Sequence, residues 1–138
     1  ELGAAGVQMG SRFVASEECE VEDEFKELYI SADKGEDILI ESPVGLPGRA
    51  LSNEFTDRLE EDVVETGDEC EYLCLKKCSQ DFCIMKALRQ AHDGNMEKGL
   101  VFAGENAPLI DNILPVKKII KDLVQDAQEF LGREDEDE

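Results

Sequence analysis

The sequence predicts an α/β fold class, and three features carry that prediction. Ala4–Gly10 (AAGVQMG) is short, apolar and bracketed by glycines, which suits a buried strand of a parallel sheet. Ile38–Ser42 (ILIES) reads as a second short strand stopped by Pro43. Apolar residues recur at helical spacing around Phe25, Leu28 and Tyr29, and again from Val116 to Phe130. A parallel strand is buried on both faces and needs a neighbour on each side. Only one such strand is legible, so the expectation is one part of a larger α/β unit, with a mostly helical extension after it and exposed apolar surface around Ala4–Met9.

The elements follow in order. Ser16 is placed to cap a helix, with Glu17 and Glu18 at its positive end, and SADKGED (Ser31–Asp37) ends that helix in a turn. After Ile38–Ser42, the prolines and glycines of PVGLPGRALSN predict an ordered loop or irregular extended stretch. Asn53 caps a helix expected to reach about Glu65. Cys70 to Ala91 has helix-forming composition, and Gly94 in HDGN takes the left-handed position that stops it. Gly99–Pro108 is an apolar run entering a glycine-containing loop. Pro115 starts a final helix that keeps one face apolar until Gly132. Residues 1–132 are read as part of one domain and 133–138 (REDEDE) as an acidic, disordered tail.

With 14 basic and 34 acidic residues the net charge is −20, which argues against a nucleic-acid backbone as partner because phosphates are repelled. No apolar run approaches the ~18 residues of a membrane span. Five cysteines, an odd number, with no secretory pattern argue for a reducing, cytoplasmic compartment rather than a disulfide framework. The chain opens on Glu1 in the middle of an apparent strand, which is the expectation for a processed or fragmentary sequence.

Four blocks in order then carry a resemblance: GAAGVQMGSRF (Gly3–Phe13), SPVGLPGRALSN (Ser42–Asn53), CLKKC with FCIMKAL (Cys74–Leu88), and GLVFAGENAPLI (Gly99–Ile110). Together they resemble the C-terminal portion of the nitronate monooxygenase family, formerly the 2-nitropropane dioxygenases, which includes the flavin-dependent enoyl-ACP reductases. The resemblance implies the last strand and helix of an FMN-binding (β/α)8 TIM barrel, whose earlier segments belong to the same protein. It implies oxidation of alkyl nitronates with oxygen, a small-molecule substrate and flavin as partners, and enoyl-ACP reduction as the alternative. Carried over by position, Gln8, Met9, Gly10 and Ser11 match the family's last FMN-contacting segment. Glycine lets a backbone approach phosphate closely and serine adds a hydroxyl donor. Gly104, Glu105 and Asn106 match a loop close to the flavin, although glutamate stands where an amide is commoner. Arg49 and Asn53 fall in a shared motif and are expected to order their loop. The family's catalytic histidine lies in an earlier segment, so no catalytic residue is expected here; His92 sits at a helix end, where imidazole meets terminal carbonyls.

Cys70, Cys74, Cys78 and Cys83 follow C-x3-C-x3-C-x4-C. On a helix the first three climb one face, where thiolates could hold zinc or an iron–sulfur cluster. Such a site would make the chain a non-enzymatic, four-cysteine metal-binding module. The same residues also read as small hydrophobes packing a helix against its neighbours, with Cys19 apart as an inert thiol.

Overall fold

The structure is a computed structural model that describes residues 6–33, 35–61, 70 and 72–134. Five helices are present among these residues: α1 (Ser11–Val14), α2 (Asp23–Ser31), α3 (Glu54–Glu60), α4 (Ile84–His92) and α5 (Val116–Glu134). Two strands, β1 (Asp37–Glu41) and β2 (Pro47–Leu51), pair antiparallel, with Asp37 opposite Leu51 and Glu41 opposite Pro47.

The hairpin is where sequence and structure first diverge. Composition predicts a loop or irregular extension after Pro43, but the second half of that stretch is β2. Gly45, with φ +83° and its N–H donating to the Ser42 carbonyl at 2.8 Å, turns the chain back onto β1. Pro47 is tolerated because it stands at the first position of the strand. The Arg49 guanidinium pairs with Asp37 on the same ribbon, consistent with a loop-ordering role for that residue.

Residues 100–103 extend the ribbon without forming a named strand. Leu51 N–H donates to the Val101 carbonyl at 2.9 Å, Ala103 N–H to the Arg49 carbonyl at 3.0 Å, and Ala50 bridges Phe102 antiparallel. Successive side chains of an extended segment point to opposite sides, and here they feed two cores. Leu100 packs with Ile40, Ala50, Phe55, Phe82 and Ala87, whereas Val101 packs with Ala15, Tyr29, Leu51, Ala91 and Ile110. Phe82 meets Phe55 edge-on, ring centroids 5.6 Å apart.

Helix ends follow local chemistry in three places. Asn53 caps α3 as expected: its side-chain oxygen accepts from Thr56 N–H at 3.0 Å while Thr56 Oγ1 accepts from Asn53 N–H at 2.8 Å. The helix runs to Glu60, and residues 62–69 lie outside the described residues. Gly94 has φ +82° and its N–H reaches the Ala91 carbonyl, the left-handed stop the sequence predicts for α4. At α5 the first free N–H, on Val116, is capped from 98 residues away by both carboxylate oxygens of Glu18, at 3.1 and 2.9 Å. That helix passes Gly132 and continues to Glu134; residues 135–138 of the expected acidic tail lie outside the described residues.

Three expected elements are corrected. The strand at Ala4–Gly10 is not formed by its described part: Gly6–Met9 have no regular structure and Gly10 bends into α1. A strand exists through its ladder partners, and β1–β2 is the one sheet among the described residues. Val7 is accordingly 86% exposed, the apolar exposure expected for this stretch. The helix expected from Ser16 begins at Asp23 instead, because Ser16 is buried, donates its hydroxyl to the Phe13 carbonyl and bridges Leu114. The helix expected from Cys70 begins only at Ile84. Leu73 and Gln80 have φ +45° and +65°, values a right-handed helix cannot contain. No helix among the described residues is long and apolar enough to cross a membrane.

Candidate functional site

A cleft of about 430 Å³ opens where the N-terminal turn meets the loop after Val101. Gln8, Met9, Gly10, Ser11 and Arg12 form one wall, Gly104–Ala107 a second, and α5 contributes Ile119, Asp122, Leu123 and Asp126, with Ile110 alongside. The four residues carried over from the sequence therefore line one cleft with the Gly104–Asn106 loop, although nearly a hundred positions separate them.

Two latches hold the walls together. Ser11 Oγ accepts from Gly104 N–H at 2.9 Å, which leaves the hydroxyl proton available to an acceptor. Arg12 donates from Nη1 to the Asn112 carbonyl at 2.8 Å and from Nη2 to Asn112 Oδ1 at 2.7 Å. Its fork is thereby committed to Asn112, in the segment between the 3₁₀ turn at Ala107–Leu109 and α5. Behind the loop, buried Tyr29 donates its hydroxyl to the Phe102 carbonyl, fixing the segment from which Gly104 emerges. Burial, reinforced by the nearby Cys19 thiol, pushes the Tyr29 phenol up to about 12, so it remains a donor.

The lining carries more acidic than basic side chains. Glu105, Asp122 and Asp126 are acidic, and Lys118 holds Asp122 through Oδ2 at 2.7 Å. An anion here would have to be met by N–H groups and the Ser11 hydroxyl. Gly10 suits that: nothing lies within 4 Å of where its Cβ would stand, so a ligand can approach the backbone there.

The sequence did not single out Arg12, Asn112 or the α5 residues. Ile119 and Leu123 belong to the apolar face of α5, but which part of that face borders a cleft is set by the Glu18 cap and the Ser16–Leu114 bridge.

The cysteine set is corrected. Cys70, Cys74 and Cys78 are exposed and Cys83 half-buried, all as free thiols. Without the expected helix they share no face, and among the described residues no three His, Cys, Asp or Glu side chains gather as a metal site. Zinc or an iron–sulfur cluster at Cys70, Cys74, Cys78 and Cys83, and with it the four-cysteine metal-binding module, is therefore set aside. The reading of all four as buried packing residues fails on the same exposure. His92 uses Nδ1 against Asp93 Oδ1 at 2.9 Å rather than a terminal carbonyl. That contact, with Arg89 second, holds the Asp93 carboxyl below its usual range.

Comparison with known proteins places these features in context. The family model described as nitronate monooxygenase matches residues 1–126. A probable nitronate monooxygenase of Staphylococcus saprophyticus is 29% identical over 134 residues, covering 96% of this chain and 35% of its own. A 5-hydroxy-7a-methyl-1-oxo-octahydroindene-4-carboxyl-CoA dehydrogenase of Mycobacterium tuberculosis is 24% identical over 155 residues, covering 91% of this chain and 44% of its own. Among solved structures, FabK from Thermotoga maritima superposes with a TM-score of 0.73 at 32% identity, over 95% of this chain and 39% of that one. Its M276A mutant gives 0.71 at 30%, over 95% and 37%. The chain thus spans less than half the length of each of these relatives.

Proposed function

The chain belongs to the nitronate monooxygenase family, and on that premise we propose that it supplies one wall of the flavin site in an FMN-dependent oxidoreductase of the nitronate monooxygenase type. The whole protein would be a (β/α)8 barrel that oxidises alkyl nitronates with oxygen, and this chain would be its C-terminal part. The observation that carries the reading is the convergence of Gln8–Ser11 with Gly104–Asn106 on one cleft. The likeness to FabK over 95% of this chain supports the placement in a larger enzyme.

When bound, FMN supplies the redox chemistry at its ring system. The residues of this chain bind and orient. Gly10 would admit the phosphate to the backbone and the Ser11 hydroxyl would donate to it, while Arg12 ties the N-terminal turn to Asn112. Phosphate sites of barrel enzymes are commonly built in this way, from backbone donors in the last loops. No residue of this chain is assigned a proton-transfer step.

A second reading, a flavin-dependent enoyl-ACP reductase, rests on the resemblance of the four sequence blocks to a family that includes such reductases. The deciding experiment uses the full-length gene product. FMN fluorescence should be quenched on titration, and Gly10→Val, which places a branched side chain in the open approach, should weaken binding at least tenfold. Equal affinity of the two proteins would remove Gly10 from the site. Oxygen uptake on an alkyl nitronate supports the first reading, whereas nicotinamide-dependent reduction of an enoyl thioester without such uptake supports the second.

A further inference from the structure

The segment between α3 and α4 is unlike the rest of the chain. Cys70 and residues 72–81 have no regular structure, and all of them except half-buried Leu75 are exposed. Free cysteine is among the most buried residue types because it behaves as a small hydrophobe. Three surface thiols within nine residues are therefore not explained by packing, and the flavin cleft does not use them.

Cys74 and Cys78 lie between the left-handed residues Leu73 and Gln80, which turn the chain on either side of the pair. Cys83 is anchored at the start of α4 beside buried Phe82, and half-buried Cys19 lies in another part of the fold. A disulfide needs Cα atoms within roughly 4.4–6.8 Å. Three intervening residues of irregular, solvated backbone can bring the two Cα atoms to that separation without breaking any helix or strand.

We propose that Cys74 and Cys78 are a thiol–disulfide modification site that closes on exposure to hydrogen peroxide. One thiolate attacks peroxide, the O–O bond breaks, and sulfur becomes a sulfenic acid with release of hydroxide. The second thiol attacks that sulfur, its proton leaves with the hydroxyl as water, and the S–S bond forms. In sum two thiols and one peroxide give one disulfide and two waters, with two electrons passing from sulfur to oxygen.

The test is thiol mapping of the purified chain after stoichiometric peroxide. N-ethylmaleimide should find two fewer reactive thiols out of five, and dithiothreitol should restore them. Trypsin cuts at Lys76 and Lys77, between the two cysteines, so the bond is read as two linked peptides whose fragmentation assigns the sulfurs. In Cys74→Ser and in Cys78→Ser the link should vanish with an unchanged far-UV spectrum, and in one of the two variants the remaining cysteine should be trapped as sulfenic acid by dimedone. A link through Cys70 or Cys83, a link between two chains, five thiols still reactive, or thiols blocked by retained zinc or iron would each overturn the proposal.

Discussion

Residues 70–81 and 82–103 adjoin in the chain and differ in almost every physical respect. In the second stretch Phe82, Ala87, Ala91, Leu100 and Val101 are buried, and α4 hands its Ala87 carbonyl to Leu100 N–H at 3.0 Å. In the first, Leu73 is 84% exposed and two non-glycine residues hold left-handed backbone. From Cys70 through Ala91 the composition is helix-forming on both sides of the boundary. The difference is that α4 has a face to bury and a glycine, Gly99, that lets the returning chain press against it. Propensity contributes tenths of a kcal/mol per residue, and packing decides whether a short helix forms.

The largest expected effect attacks that close approach. A Cβ on Gly99 would lie 2.6 Å from the Ala91 Cα and N and from the Asn95 carbonyl oxygen, all backbone atoms that cannot rotate away. Gly99→Ala should therefore cost about 3 kcal/mol or more, read as a lowered urea midpoint at unchanged slope. A loss under about 1 kcal/mol would mean that the two stretches are less different than they look.

Phe82→Ala comes next, because it removes the residue at which the exposed segment becomes core. Loss of the edge-on contact with Phe55 and of the buried ring should cost about 3 kcal/mol. Leu73→Ala, nine residues earlier, should stay within about 0.5 kcal/mol. Similar losses in the two variants would break the contrast.

A further effect is confined to alkaline pH. Burial raises the Tyr29 phenol from 10.0 to about 12, so the folded state favours the neutral form. Its contribution is complete below pH 10 and is lost as the pH rises toward 12, since the unfolded phenol ionises first. A decline of about 2 kcal/mol across that window is expected. Tyr29→Phe should flatten it, which unfolding curves at pH 9, 10 and 11 would register.

Much of the ordered half was legible because its signals are local. Asn53 with Thr56 three residues on, Gly94 after His92, and the apolar face following Pro115 each act within one or two turns of backbone. The β-rich Ile38–Ser42 run was legible as a strand, but its partner was not, because Pro47 and Gly48 read as loop until Gly45 turns them onto β1. The helix read through Cys70–Gln80 failed because composition carries no information about whether a buried face awaits it.

The candidate site divides along the same line. By itself the sequence determined a glycine–serine turn at Gly10 and Ser11, a second glycine loop at Gly104, and the family that holds both. Only the tertiary structure decided that Ser11 Oγ receives the Gly104 N–H, that Arg12 grips Asn112, and that Glu18 caps α5 beside them. Those contacts join residues 93 to 100 positions apart. The reason is that turn chemistry is written in adjacent residues, whereas the meeting of two turns depends on how every element between them packs.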